Sequence, residues 1–311
     1  MFILRGIAVS LMFFILLYCL LSMAVIFAWR GVNLLRTTSR RRADWLFWLR
    51  VAPLLASAAV MLVLVVPAYV RLEPRSIEED MALPVVLALG CLSLFGVGFF
   101  RVVNAQKKSS RVVADWMDGA DSLDAGIPAP IFQARRQAPP LTLVGVCSPR
   151  VVVSETTVTL LDKDELRVAV QHEMAHMRFH DNLKKLAFYC SPFPVMTDLE
   201  SAWGEAAELA ADEEAVTNVH EALDLAAALI KLSRLTPVIA GPAFTMGLLS
   251  GDKSLVERVE RLLNWRDNKS RAPRARWGYT FPAAFGAALI AVAANPPALA
   301  QIHRLTEWLV R

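Results

Sequence analysis

Gln171-His172-Glu173-Met174-Ala175-His176-Met177-Arg178-Phe179-His180 contains the pattern His-Glu-x-x-His, and Asp181 follows directly. On a helix His172 and His176 lie one turn apart on one face, so both imidazoles can reach one metal ion while Glu173 flanks the open coordination position. The pattern predicts a water-activating zinc site. By itself it is only moderately specific, since three fixed positions recur by chance in roughly a few per cent of chains of this length. The helix should begin at Asp162, because Asp162-x-x-Glu165 can form a capping box ahead of the apolar run Leu166, Val170, Met174. His180 extends the histidine series, but eight helical residues cover about 12 Å. Two ligands of one zinc lie only about 3 to 4 Å apart, which argues against His180 as a ligand.

Downstream, residues 201–217 (SAWGEAAELAADEEAVT) read as a helix rich in Ala and Glu. Glu208 and Asp212 are one turn apart on it. One reading makes Glu208 the third metal ligand and Asp212 the acceptor for a ligating imidazole N–H; the other makes the whole run a solvated acidic face. Further helices are expected at about 221–234 and 253–265. His220 could donate to a developing oxyanion or simply be an exposed helix-terminal residue, and His303 carries no visible signal. Upstream, 141–146 and 150–154 read as two strands of a small sheet, 115–140 as linker and turns, and 183–199, broken by Pro192 and Pro194, as a hairpin or membrane-apposed segment. A substrate segment is expected to pair with an edge of that sheet.

The surroundings of this module are apolar. In a chain of 311 residues, 55% hydrophobic content and a positive mean hydropathy exceed what soluble domains carry. Spans are expected at about 6–29, 51–70 and 82–100, with a fourth within 271–299 and a short outer tail at 300–311. Arg30, Arg36, Arg40, Arg41 and Arg42 follow the first span, and Arg101, Lys107, Lys108 and Arg111 follow the third, whereas 71–80 is net acidic. Positive loops stay inside, so the N-terminus is expected outside and the domain at 104–270 in the cytoplasm. The net charge of +4 shows no basic stripe interleaved with aromatics, so no direct nucleic-acid binding is expected. The four cysteines have no paired spacing and imply neither disulfide framework nor Cys-based zinc site.

His172-Glu-Met-Ala-His176 with Asp181, followed by Glu208-Leu-Ala-Ala-Asp212-Glu-Glu-Ala-Val, resembles the BlaR/MecR family of integral-membrane gluzincin metallopeptidases. Leu143-Val-Gly-Val-Cys-Ser-Pro-Arg-Val-Val-Val-Ser154 is similar to that family's strand pair. Leu255-Val-Glu-Arg-Val-Glu-Arg-Leu-Leu263 resembles its downstream helix with a recurring arginine. The resemblance implies a multi-pass α-helical membrane protein of the bacterial inner membrane carrying a cytoplasmic α+β gluzincin-type zinc metallopeptidase domain. It implies one Zn2+ per chain on His172, His176 and Glu208, with Glu173 as general base and Asp181 and Asp212 orienting ligands. Arg258 would be the recurring arginine, supporting the site or the oxyanion. Expected partners are the lipid bilayer, a protein or peptide substrate such as a transcriptional repressor, and a separate sensor protein. The family's extracellular penicillin-binding sensor is not expected here. Two alternatives are an HtpX-like quality-control protease, which places two spans before the motif, and a non-catalytic membrane scaffold.

Overall fold

The computed structural model describes residues 2–32, 38–73, 81–123, 130–134, 138–146, 148–235, 245–247, 252–266 and 277–310. Among these residues three apolar helical segments are long enough to cross a membrane. The first is α1 (Phe2–Val32). The second is a rod of 34 residues made of α2 (Ser39–Val60), a π-helical turn (Met61–Val65) and α3 (Val66–Leu72). The widened turn directly precedes Pro67, which removes a backbone donor and crowds the turn before it, so the rod continues by shifting its register. The third is α4 (Ala82–Met117). Large apolar side chains on these helices, among them Leu20, Phe27, Leu89 and Phe99, are exposed, as a hydrocarbon surrounding would favour.

Two sequence expectations need correction here, and a third element runs on beyond its expected span. The helix carrying the expected span at 82–100 continues 17 residues past position 100, because Arg101–Met117 contains no Gly or Pro, and it stops only where Gly119 takes a positive φ of 69°. Residues 115–140 hold more than linker, since β1 (Asp121–Ser122) and β2 (Ile131–Ala134) lie there, strands too short to show a period. Residues 183–199, expected as a hairpin or a membrane-apposed segment, are no hairpin of strands: a helix over Asp181–Cys190 ends before Pro192, and the next begins at Thr197. The expected fourth span begins at 271–276, outside the described residues. Its described part is α11 (Trp277–Ala293), followed by α12 (Pro296–Val310). The two axes bend by 88° across the break before Pro296, so the pair is either one broken span or a re-entrant element. Most of the expected tail therefore lies in α12.

The domain between these helices is helical with a small mixed sheet in the order β1-β2-β4-β3-β5. The expected strands appear as β3 (Leu141–Val144) and β4 (Arg150–Ser154), paired antiparallel, while β2 runs parallel to β4. The outer side of β3 is held by β5 (Thr245–Gly247). The remaining helices are α5 (Glu155–Leu160), α6 (Lys163–Arg178), α7 (Asp181–Cys190), α8 (Thr197–Ala215), α9 (Val219–Ser233) and α10 (Asp252–Leu263).

Two packed layers position the site. Leu141, Leu143, Val151 and Val153 of the sheet meet Val168 and Val170 of α6 and Leu225 and Leu229 of α9 in one buried core. On its other side α8 lies against the rod of α2 and α3, with Leu199, Trp203, Ala206 and Ala207 packed on Ala43, Leu46 and Val51 of α2. Six buried alanines on α8 let α2 and α6 approach from opposite sides, since a methyl group adds little to the axis separation. Arg50, buried on α2, fastens the same junction. It donates to Glu200 Oε1 (2.8 Å), Ser191 Oγ (2.8 Å) and the Ser191 carbonyl (2.8 Å).

Candidate metal centre

The capping box expected at the start of α6 is present: Asp162 Oδ1 accepts from the backbone of Asp164 (3.0 Å) and Glu165 (2.9 Å), and Glu165 Oε2 accepts from the Asp162 N–H (3.0 Å). One turn from the other end, His172 and His176 turn their Nε2 atoms toward each other at 3.1 Å, with the rings edge to face. The helix then ends because His180 adopts a left-handed conformation (φ 55°), which redirects the chain into α7. His180 is exposed, as is His220 in the first turn of α9.

Glu208 reaches the same point from α8, its carboxylate oxygens lying 3.4 Å from His172 Nε2 and 3.6 Å from His176 Nε2. Those separations exceed a good hydrogen bond. They match the roughly 3.3 Å expected between two ligands of a tetrahedral ion with bonds near 2.05 Å. His172, His176 and Glu208 each offer one ligand atom within 4.8 Å of the others, all three buried, and so could hold a metal ion. Two imidazoles and a carboxylate suit zinc. The solvated-face reading fits Glu205 and Glu214, which are exposed, but Glu208 and Asp212 are only 2% and 4% exposed.

Each imidazole is held from behind. His176 Nδ1 lies 2.8 Å from Asp181 Oδ2, and His172 Nδ1 lies 2.9 Å from Asp212 Oδ1. Such carboxylates keep the proton on Nδ1 of a neutral ring and leave Nε2 as an electron-pair donor. Asp181 is tied in turn by Lys184 Nζ at 3.1 Å. Arg258, wholly buried on α10, donates to Asp212 through Nε and Nη2, both at 2.7 Å, and brings Nη1 within 3.0 Å of Glu208 Oε2.

The electrostatics follow from this enclosure. Burial alone would raise Asp212, but the Arg258 guanidinium and His172 outweigh it and hold the carboxyl at about 2. Glu208 is held well below its ordinary range against the same burial penalty, chiefly by Arg258 and His176. Burial would lower His176, yet Glu208 and Asp181 push it up to about 10, so without metal this site attracts a proton. Glu173 differs. Its two oxygens are buried with no hydrogen-bond partner among the described residues, and burial pushes its carboxyl up to about 7 despite the nearby imidazoles.

Two contributors carried no signal in the sequence. Asn182, buried beside Asp181, donates to the Gly145 carbonyl (2.9 Å) and so ties α7 to the β3–β4 turn, where Gly145 sits at φ 92°. Lys185 is half-buried at the residue level, but its ammonium is enclosed enough for burial to lower it, opposed by Glu208, Asp181 and Glu173.

A buried pair of helical imidazoles closed by a glutamate, with a second glutamate left free of ligation, is an arrangement suited to metal-assisted hydrolysis. Residues 133–262 match the sequence model of the BlaR1 peptidase M56 family, consistent with a member of the BlaR/MecR type. The match implies a metallopeptidase, and three helices of spanning length make it membrane-associated in character. No curated protein matches the chain.

Proposed function

We propose that this protein is a membrane-embedded zinc endopeptidase of gluzincin type. Its active site would face the cytoplasm and act in regulatory proteolysis of a repressor-like protein or of itself. The observation that carries the reading is Glu173, a buried carboxyl with no hydrogen-bond partner among the described residues, beside three converging metal-ligand atoms. A structural metal site has no use for such a group.

Zinc held by His172, His176 and Glu208 would polarise water and the scissile carbonyl. Glu173, buried beside the ligand atoms and not itself one of them, takes the water proton and returns it to the leaving amine. Asp181 and Asp212 keep both imidazoles in the donating tautomer, and Arg258 balances the negative charge of Glu208 and Asp212. An extended substrate segment would pair along the sheet edge at β5, beside the active helix. The HtpX-like alternative expects two spans ahead of the motif, whereas three helices of spanning length precede it here.

The test compares cells carrying wild-type protein or Glu173→Ala for new peptide termini, with metal assayed on both purified proteins. Equal metal with termini appearing only for wild type is expected. Equal metal and identical termini would favour the scaffold reading.

A further inference from the structure

A second convergence of ligand-type side chains lies at the far end of the helical bundle. The rod of α2 and α3 starts at Ser39, whose hydroxyl meets Glu213 on α8, and ends 34 residues later beside Glu73. A helix of that length spans about 50 Å. At its end, Glu73 faces His303 and Glu307, which stand one turn apart on α12. His303 Nε2 lies 3.6 Å from Glu73 Oε2 and 3.5 Å from Glu307 Oε1, and the three ligand atoms fall within 4.8 Å of one another.

These distances are informative. A protonated imidazole gripping two carboxylates draws them to roughly 2.7–2.9 Å. Separations of 3.5 and 3.6 Å instead match those between ligands of one ion. His303 is nine-tenths buried, and its Nδ1 has no hydrogen-bond partner among the described residues. Nε2 is the ring nitrogen turned to both carboxylates, the atom through which an imidazole ligates. The Glu73 side chain is only 6% exposed, and its other oxygen, Oε1, lies 4.0 Å from Arg5 of α1.

We propose that Glu73, His303 and Glu307 form a second divalent-metal site, distinct from the His172 centre. It takes a first-row ion of the zinc or manganese class and clamps α12 to the end of α3. One imidazole selects for a transition metal, and two carboxylates supply the charge that a dication balances.

The experiment uses the full chain in detergent, loaded separately with zinc and with manganese, desalted, and assayed for metal per protein. Wild type is expected to hold about two ions, and His303→Ala or Glu307→Gln about one, a twofold fall. His172→Ala/His176→Ala should retain one ion, which further substitution of His303 removes. Glu307→Gln keeps the side-chain shape and carries the test if His303→Ala fails to fold. Wild type holding a single ion that depends on His172 and His176 would overturn the proposal, as would metal content indifferent to both α12 substitutions. A single ion dependent on His303 alone would instead support this site and count against the His172 centre.

Discussion

Arg258 grips Asp212 through two hydrogen bonds of 2.7 Å, joining α10 to α8 in the interior directly behind the His172 imidazole. Arg258 also meets Glu208 at 3.0 Å, so one cation balances two buried carboxylates. Arg258→Met should therefore strand both charges, destabilising the protein by about 3–5 kcal/mol. Arg258→Lys should recover only part, because an ammonium cannot reproduce the fork. Thermal unfolding of the purified variants tests this, and a melting temperature unchanged by Arg258→Met would show that the pair does not hold the domain together.

Removing the support of one imidazole should weaken metal binding without unfolding the domain. Asp181→Asn leaves an amide opposite His176 Nδ1 that no longer enforces one tautomer, and metal affinity should fall roughly 10- to 100-fold. Competition against a chromophoric chelator measures it; affinity equal to wild type would remove Asp181 from its assigned role.

Protons and metal should compete at His176. Because its folded value is raised to about 10 in the metal-free site, its contribution to metal-free stability is full below about pH 6.5 and is lost as pH rises through 10. Metal must displace that proton, so apparent affinity should rise about tenfold per pH unit between pH 7 and 9. Chelator competition at several pH values would show a flat profile if no proton is displaced.

Acid should act oppositely through Asp212. Its carboxyl is held down at about 2, so the stability it contributes is present above its ordinary value near 4 and disappears as pH falls toward 2. The shift corresponds to roughly 2 kcal/mol. Denaturant unfolding of metal-free protein between pH 5 and 2.5 should lose about that much more for wild type than for Asp212→Asn, and parallel curves would contradict the assignment.

Arg50→Met should loosen the α2–α3 rod from α8. It leaves the Ser191 carbonyl and Glu200 without their donor at the α2–α8 junction, at a cost of about 2–4 kcal/mol. Faster proteolysis within 188–200, with metal content retained, is the expected result; unaltered cleavage would show that packing alone holds the junction.

The local features were legible because local rules govern them. Three apolar stretches announced helices of spanning length, the Asp162–Glu165 pair announced the start of α6, and a spacing of four placed His172 and His176 on one face. What escaped was either too short for a period, like β1 and β2, or masked by its neighbours. Pro192 and Pro194 disguised α7, although both lie beyond its last residue.

The sequence by itself determined the apolar helices, the direction of α6 and the convergence of two imidazoles, since each depends on residues within a few positions of one another. Tertiary structure alone decided which carboxylates of α8 are buried. An alanine-rich helix has no strong apolar stripe to choose its inward face, so Glu208 and Asp212 turn inward because α2 and α6 pack on either side. The same holds for the charge balance: Arg258 stands 46 positions from Asp212, and only the packing of α10 against α8 brings a guanidinium to carboxylates that could not otherwise remain ionised in the interior.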